Sequence, residues 1–159
     1  PFYAPGNDPR RLLQREAAIA AEELFKRAQK EEIHLWGISG YRSYKRQEEL
    51  FSSANGRSGV APPGCSEHQT GLALDISCPD ENYELEESFA KTKEGCWLAR
   101  HCALFGFILR YPKNKEEITG FPFEPWHIRY TGIGLASSLT LTGMTLEEYY
   151  ERGLHLPPK

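Results

Sequence analysis

The sequence contains no run of 18 apolar residues, no block of like charge and no C-x-x-C pair. The first absence excludes an ordinary membrane-spanning helix. The second bears on partners, because nucleic acids and anionic membranes are met by clustered lysine and arginine. Here 19 basic residues are scattered among 22 acidic ones, the net charge is -3, and neither partner is expected. The third argues against a zinc ribbon or a thioredoxin-type redox site. The four cysteines, Cys65, Cys78, Cys96 and Cys102, leave three disulfide pairings open beside the reading of free, partly buried thiols, and none is marked as a nucleophile. No charged-then-apolar leader opens the chain, but it begins at Pro1 without Met, so that absence decides nothing about location. There is no internal repeat, low-complexity tract or linker, and the acidic stretch 79–94 lacks the ligand spacing of an EF-hand.

What is present suits one globular domain. The 159 residues are 40% hydrophobic and 26% charged, and a single domain over 1–159 with its core at about 8–152 is expected. Asp8-Pro9 reads as a helix start, and Leu13, Ala17, Ala20, Leu24 and Ala28 give one apolar face to about residue 30. A short strand follows at 33–39. A second helix, capped by Ser43, runs to about 53 with Leu50 and Phe51 inward, and 55–64 forms a loop at the lip of a pocket. The pattern then predicts a turn at 66–71 and a strand at 72–76. It continues with a helix over 95–105 (Trp97, Leu98 and Cys102 inward), strands at 107–111 and 126–130, and two closing helices, the last with a Thr145/Glu148 capping box. Few short strands between helices of unequal length indicate α+β architecture. His34, His101 and His155 have no partners in sequence and receive no role.

The chemistry lies in two clusters. Residues 66–75, Ser-Glu-His-Gln-Thr-Gly-Leu-Ala-Leu-Asp, carry His68 and Asp75, and Glu124-Pro125-Trp126-His127 adds a second imidazole and a spare carboxylate. Singly, each has an ordinary reading as a buried hydrogen-bonded group. Together they have the composition of a catalytic zinc site, with three protein ligands and the fourth position left to water. A structural zinc site is usually closed by four ligands, often cysteines. Zinc lowers the pKa of bound water to roughly 7 and polarises a carbonyl, which is what peptide hydrolysis requires. Glu124, three residues before His127 across a proline that keeps the segment extended, is placed to act as base. Arg42, where a strand ends and a helix begins, is the candidate cation for a substrate carboxylate or the oxyanion.

Ser-Gly-Tyr-Arg-Ser (39–43), Ser-x-His-x-x-Gly-x-Ala-x-Asp (66–75), Gly-Phe-Ile-Leu-Arg-Tyr-Pro (106–112) and Glu-Pro-Trp-His-x-Arg-Tyr (124–130) occur in that order. The combination resembles the signature blocks of the VanY-type D-alanyl-D-alanine carboxypeptidases, zinc enzymes that trim peptidoglycan stem peptides, with close L,D-carboxypeptidase relatives. The resemblance covers about residues 10–150. It implies Zn2+ on His68, Asp75 and His127, Glu124 as general base, and Arg42 and Ser66 on the substrate's terminal carboxylate or reacting carbonyl. It further implies Gln47 and Tyr111 along the pocket, and an antiparallel sheet carrying the metal with helices packed around it.

The activity implied is removal of the terminal D-Ala from a D-Ala-D-Ala pentapeptide stem. The alternatives are L,D cleavage of a tetrapeptide, a dipeptidase or endopeptidase of the wider superfamily, or a non-catalytic zinc-containing module. Glu124 and Arg42 argue against the last, since a pure binding module needs no base. An extracytoplasmic monomer is expected, secreted or anchored through a segment upstream of Pro1. Two features depart from the family pattern: the segment between the second helix and residue 66 is short, and the four cysteines are additional.

Overall fold

The computed structural model describes residues 1–55 and 59–153. The middle of the expected lip loop, and His155 with the tail, lie outside the described residues. Four strands form one antiparallel sheet in the order β1-β2-β4-β3: β1 Trp36–Ser39, β2 Ala73–Ser77, β3 Phe107–Tyr111 and β4 Glu124–Tyr130. The helices are α1 Arg15–Lys30, α2 Tyr44–Ala54, α3 Lys93–His101, α4 Glu116–Thr119, α5 Ile133–Thr142 and α6 Leu146–Glu151. This is the α+β architecture expected.

Alternation within the strands divides the sheet into two faces. Leu74 and Ile76 of β2, Ile128 of β4 and Phe107 of β3 point to one side. There they pack with Ala21, Leu24, Phe25 and Ala28 of α1 and with Trp97 and Leu98 of α3 in the main core. Each such side chain, fully buried, contributes on the order of 1.5–3 kcal/mol. Asp75 and His127 point to the other side, into a cleft. A second, smaller cluster of Ile108, Ala136, Leu139, Leu146 and Tyr149 seats α5 and α6 against the sheet beyond β3. The capping box at Thr145 and Glu148 starts α6 as the sequence predicts, and Lys115 holds the Glu148 carboxylate at 2.7 Å.

Several expectations are corrected. The single helix from Asp8 to residue 30 is divided: Asp8 caps one 3-10 turn, Pro9–Arg11, and α1 begins only at Arg15. The backbone between them is used elsewhere. Arg10 and Leu12 carbonyls accept the amides of Gly40 and Tyr41, and the Gln14 amide donates to Gly71. Residues 10–14 are thus a strap binding the turn after β1 to the turn before β2, and a continuous helix would forfeit those bonds. In α2 the buried residue is Gln47; Phe51 is 40% exposed and Leu50 half-buried, because the inner face of this helix looks onto a polar cleft rather than the core. The helix expected over 95–105 is α3 followed by a 3-10 turn, Cys102–Phe105. All four cysteines are free; Cys78 and Cys102 are buried, and burial pushes the Cys102 thiol up to about 12. Within the acidic stretch 79–94, which the sequence suggests is a solvated loop, Phe89 is anchored in the main core.

Gly40 is where strap and site meet. A Cβ there would lie 2.5 Å from the Leu12 carbonyl oxygen and 2.9 Å from that of Arg10. Both neighbours are backbone, so Gly40→Ala is expected to displace the strap and cost about 1–3 kcal/mol. Chemical denaturation would read this as a lowered midpoint with unchanged slope; an unchanged midpoint would show that the strap does not constrain the turn.

Candidate metal centre and cleft

Asp75 and His127 are directly opposed in register on neighbouring strands, and Ser39 faces Asp75 from the other side. His68 reaches the same point from the 3-10 turn Glu67–Thr70, which Gly71 closes in a left-handed conformation (φ 69°) that suits glycine. The three residues are buried, and one ligand atom from each lies within 4.8 Å of the others. Asp75 Oδ2 is 3.2 Å from His68 Nε2, and Asp75 Oδ1 is 3.3 Å from His127 Nδ1.

The donor set fits a metal on the pattern of its hydrogen bonds. His68 Nδ1 lies 2.7 Å from the Gly40 carbonyl oxygen. A carbonyl only accepts, so Nδ1 carries the hydrogen and Nε2 presents a lone pair to a carboxylate oxygen. In the neutral ring two acceptors then face each other at 3.2 Å, an arrangement that calls for a second proton on the ring or a metal ion between them. Asp75 Oδ1 is buried without a hydrogen-bond partner among the described residues. Two imidazoles and a carboxylate are a donor set of catalytic zinc. Burial works against charge throughout the cluster. It is outweighed at Asp75 by His68 and His127, which hold that carboxyl well below its ordinary range, and at His127 by Asp75 and Glu67, which push the imidazole up to about 9.

Glu124 stands beside this cluster, Oε2 3.5 Å from His127 Nδ1. Its place depends on a bulge. Between the pairs Leu109↔Ile128 and Tyr111↔Glu124, β3 advances two residues and β4 four. Pro125 lies in the excess, where its missing N–H breaks no ladder. Burial first, then the Asp75 and Glu67 carboxylates, raise the Glu124 carboxyl to about 7 against the opposing pull of His127 and Arg42.

The cleft has a volume of about 420 Å³, and Arg42, Ser66, Tyr111 and Glu124 line it together with the three candidate ligands. Arg42 donates to Gln47 Oε1 at 3.0 Å, and its guanidinium is 3.8 Å from Asp75 Oδ2. Gln47 is 1% exposed and also donates to the Ala61 carbonyl at 2.7 Å, so it sits behind Arg42 and ties it to the lip. Tyr111 stacks on Phe121 with centroids 4.5 Å apart. His101, given no role from sequence, stacks on Trp97 away from the cleft.

One residue of the cluster was not anticipated. Glu67 Oε2 is 3.6 Å from His127 Nε2, while Oε1 accepts from Arg110 Nε at 2.7 Å and lies 3.3 Å from Arg129 Nη1. Against the cost of burial, His127 and these arginines bring Glu67 down to about 2. Its only signal in sequence was its place between Ser66 and His68.

Residues 10–133 match the family described as VanY, D-alanyl-D-alanine carboxypeptidase. The chain is 45% identical over 150 residues to the putative carboxypeptidase YodJ of Bacillus subtilis strain 168, covering 90% of this chain but only 55% of that protein. Among solved structures, the LdcB LD-carboxypeptidase superposes with a TM-score of 0.89 at 43% identity, over 94% of this chain and 73% of that one. The D,D-pentapeptidase VanY of the VanB-type resistance cassette, solved as a mutant with Zn(II), gives 0.75 at 33% identity, over 94% and 89%. This chain belongs to the VanY family of D-alanyl-D-alanine carboxypeptidases.

Proposed function

We propose that this chain is the catalytic domain of a zinc carboxypeptidase that removes the C-terminal D-Ala from peptidoglycan stem peptides. The observation that carries this is one constellation: three buried candidate ligands within 4.8 Å, a fourth carboxyl raised to about 7 beside them, and a guanidinium in the same cleft. His68 Nε2, Asp75 and His127 Nδ1 would hold the zinc, which when bound supplies the Lewis acidity that activates water and polarises the scissile carbonyl. Glu124 takes the proton of the attacking water and delivers it to the leaving amine; burial and its anionic neighbours raise this carboxyl above the ordinary range, which favours both transfers. Arg42, fixed by Gln47, meets the substrate's terminal carboxylate, with Ser66 beside it, and Tyr111 with Phe121 forms an apolar wall. Stem peptides lie outside the cytoplasmic membrane, so the site acts there; no helix among the described residues is long and apolar enough to cross a membrane.

Two stems compete. The sequence pattern put the D-Ala-D-Ala pentapeptide first. Among solved structures, the higher sequence identity to the LD-carboxypeptidases LdcB and DacB, 43% and 36%, than to the D,D-pentapeptidase VanY and the D,D-dipeptidase VanXYg, 33% and 31%, favours the tetrapeptide, cut after its L-centre. Mass spectrometry of both stems incubated with zinc-loaded protein separates them. Loss of one alanine from the tetrapeptide, abolished by chelator and restored by zinc, is expected; cleavage of the pentapeptide alone would reverse the assignment, and cleavage of neither would remove the carboxypeptidase reading. Glu124→Gln should keep full zinc occupancy while kcat/KM falls by roughly 10²–10⁴-fold. His68→Ala should lose the metal itself. Turnover by Glu124→Gln at the wild-type rate would eliminate Glu124 as the base.

Protons and zinc compete for His127. Since its neighbours hold the imidazole proton up to about pH 9, zinc affinity should climb by about tenfold per pH unit from 6.5 toward 9 rather than level off near the ordinary histidine value. Competition against a chelator of known affinity at pH 6.5, 7.5 and 8.5 measures this, and a plateau above pH 7 would contradict it.

A further inference from the structure

His127 turns Nδ1 toward Asp75 and Glu124, at 3.3 and 3.5 Å. Its other nitrogen, Nε2, looks at Glu67 Oε2. Both of these atoms are buried and neither has a hydrogen-bond partner among the described residues. The separation of 3.6 Å stands just outside hydrogen-bond length, and a ring shift of about half an ångström closes it. A carboxylate can only accept, so the pairing requires the hydrogen on Nε2 and leaves Nδ1 bare on the side of Asp75.

Glu67 does not hold that position alone. Arg110 Nε donates to its Oε1 at 2.7 Å, and Arg110 sends its two terminal nitrogens to the two oxygens of Glu147, at 3.1 and 2.5 Å. Arg110 is on β3, adjacent to β4 in the sheet, and Glu147 is in the first turn of α6. Glu147 already engages the arginine bidentately, so neutralising Arg110 does not by itself require Glu67. The second carboxylate has a separate use: with Oε1 fixed by Arg110 and Arg129, Oε2 is held toward the imidazole.

We propose that Glu67 is the positioning residue for His127. It accepts the Nε2 hydrogen, selects the tautomer whose Nδ1 faces the metal, and raises the basicity of that nitrogen. Arg110 and Glu147 act through it, so the first turn of α6 belongs to the support of the metal centre. His68 is oriented by a backbone carbonyl, a neutral acceptor built into the strap-bound turn at Gly40. His127 is oriented by a charged side chain, which substitution can remove without moving the backbone. The inference rests on the zinc reading of the site and extends it to a residue outside the three candidate ligands.

The test is zinc affinity, measured by titrating zinc into metal-free protein against a chromophoric chelator. Glu67→Gln keeps the volume and loses the charge, and zinc binding should weaken by about 10–100-fold. In the zinc-loaded variant at saturating metal, kcat should fall with KM unchanged, because Arg42 still meets the substrate. Wild-type protein that binds no zinc would remove the zinc reading itself. Wild-type protein that binds zinc, with Glu67→Gln binding it equally tightly, would overturn only this inference. A merely structural Glu67 would lower the melting temperature of the metal-free protein and leave the affinity alone, which is the same overturning result. If Glu67→Gln does not fold with Arg110 and Arg129 facing it, Glu67→Asp keeps the charge and withdraws the carboxylate by one methylene. The same loss of zinc affinity is expected there, and wild-type affinity in that variant would overturn the proposal.

Discussion

Asp75 is the constraint on which the site turns. Its carboxylate is 3% exposed on an inner strand, with a bare imidazole nitrogen at 3.2 Å on one side and a second imidazole at 3.3 Å on the other. Carboxylates are tolerated at such depth only when a cation or several donors answer them. Arg42 is nearest, but at 3.8 Å it makes no hydrogen bond and is committed to Gln47. Neutral His68 does not answer it, since the Gly40 carbonyl takes the one hydrogen of that ring, which leaves a protonated His127 at Nδ1. A metal ion resolves the conflict for all three side chains at once. The local stability lost around Asp75 is the condition for binding the cation there.

The sheet creates this arrangement by departing from regularity at two places. Regular pairing would carry Leu109↔Ile128 on to Tyr111↔Trp126, leaving Glu124 two residues further along. The extra residues of β4 instead bring Glu124 opposite Tyr111, at the wall of the cleft. On the other side of β2, β1 advances two residues against one between Gly37 and Ser39, which turns the chain out of the sheet just before Gly40 and Arg42. Bulges re-aim side chains, and here one aims Glu124 and the other Arg42 into the cleft. The strap at 10–14 then locks the second bend against the turn that carries His68. Four strands and one short irregular segment thus fix side chains that lie up to 85 residues apart in sequence, from Arg42 to His127.

Much of this was legible from residue order, and the parts that were not share a cause. Strand alternation placed Asp75 opposite its leucines and His127 opposite Ile128, because period two is a local property. The capping box at Thr145 is local too. The division of the first helix was not legible, since the apolar spacing of Leu13, Ala17, Ala20, Leu24 and Ala28 continues through it. What breaks it is hydrogen bonding to Gly40, Tyr41 and Gly71, and no periodicity encodes that. Phe51 was misplaced because a helix packed on a polar cleft buries a glutamine instead of an aromatic. Glu67 was passed over for the same reason: Arg110, Arg129 and Glu147, which give it meaning, lie 43, 62 and 80 residues away.

Glu67 and Glu124 show how one cleft gives two carboxylates different work. Glu124 is buried and Glu67 partly buried, both approach His127, and desolvation raises the pKa of each. Glu67 has two arginines on its far side, and with His127 they bring it down to about 2, which holds it as an anion. Glu124 has only His127 and the more distant Arg42 to oppose burial and the repulsion of two anions, and it rises to about 7. Environments that push paired titratable groups apart assign their roles. A fixed charge suits a group that orients a ligand and must not exchange its proton during turnover. A carboxyl near 7 suits a group that must take a proton and give it back. The order of the two is set by Arg110 and Arg129, which stand behind Glu67 and do not line the cleft.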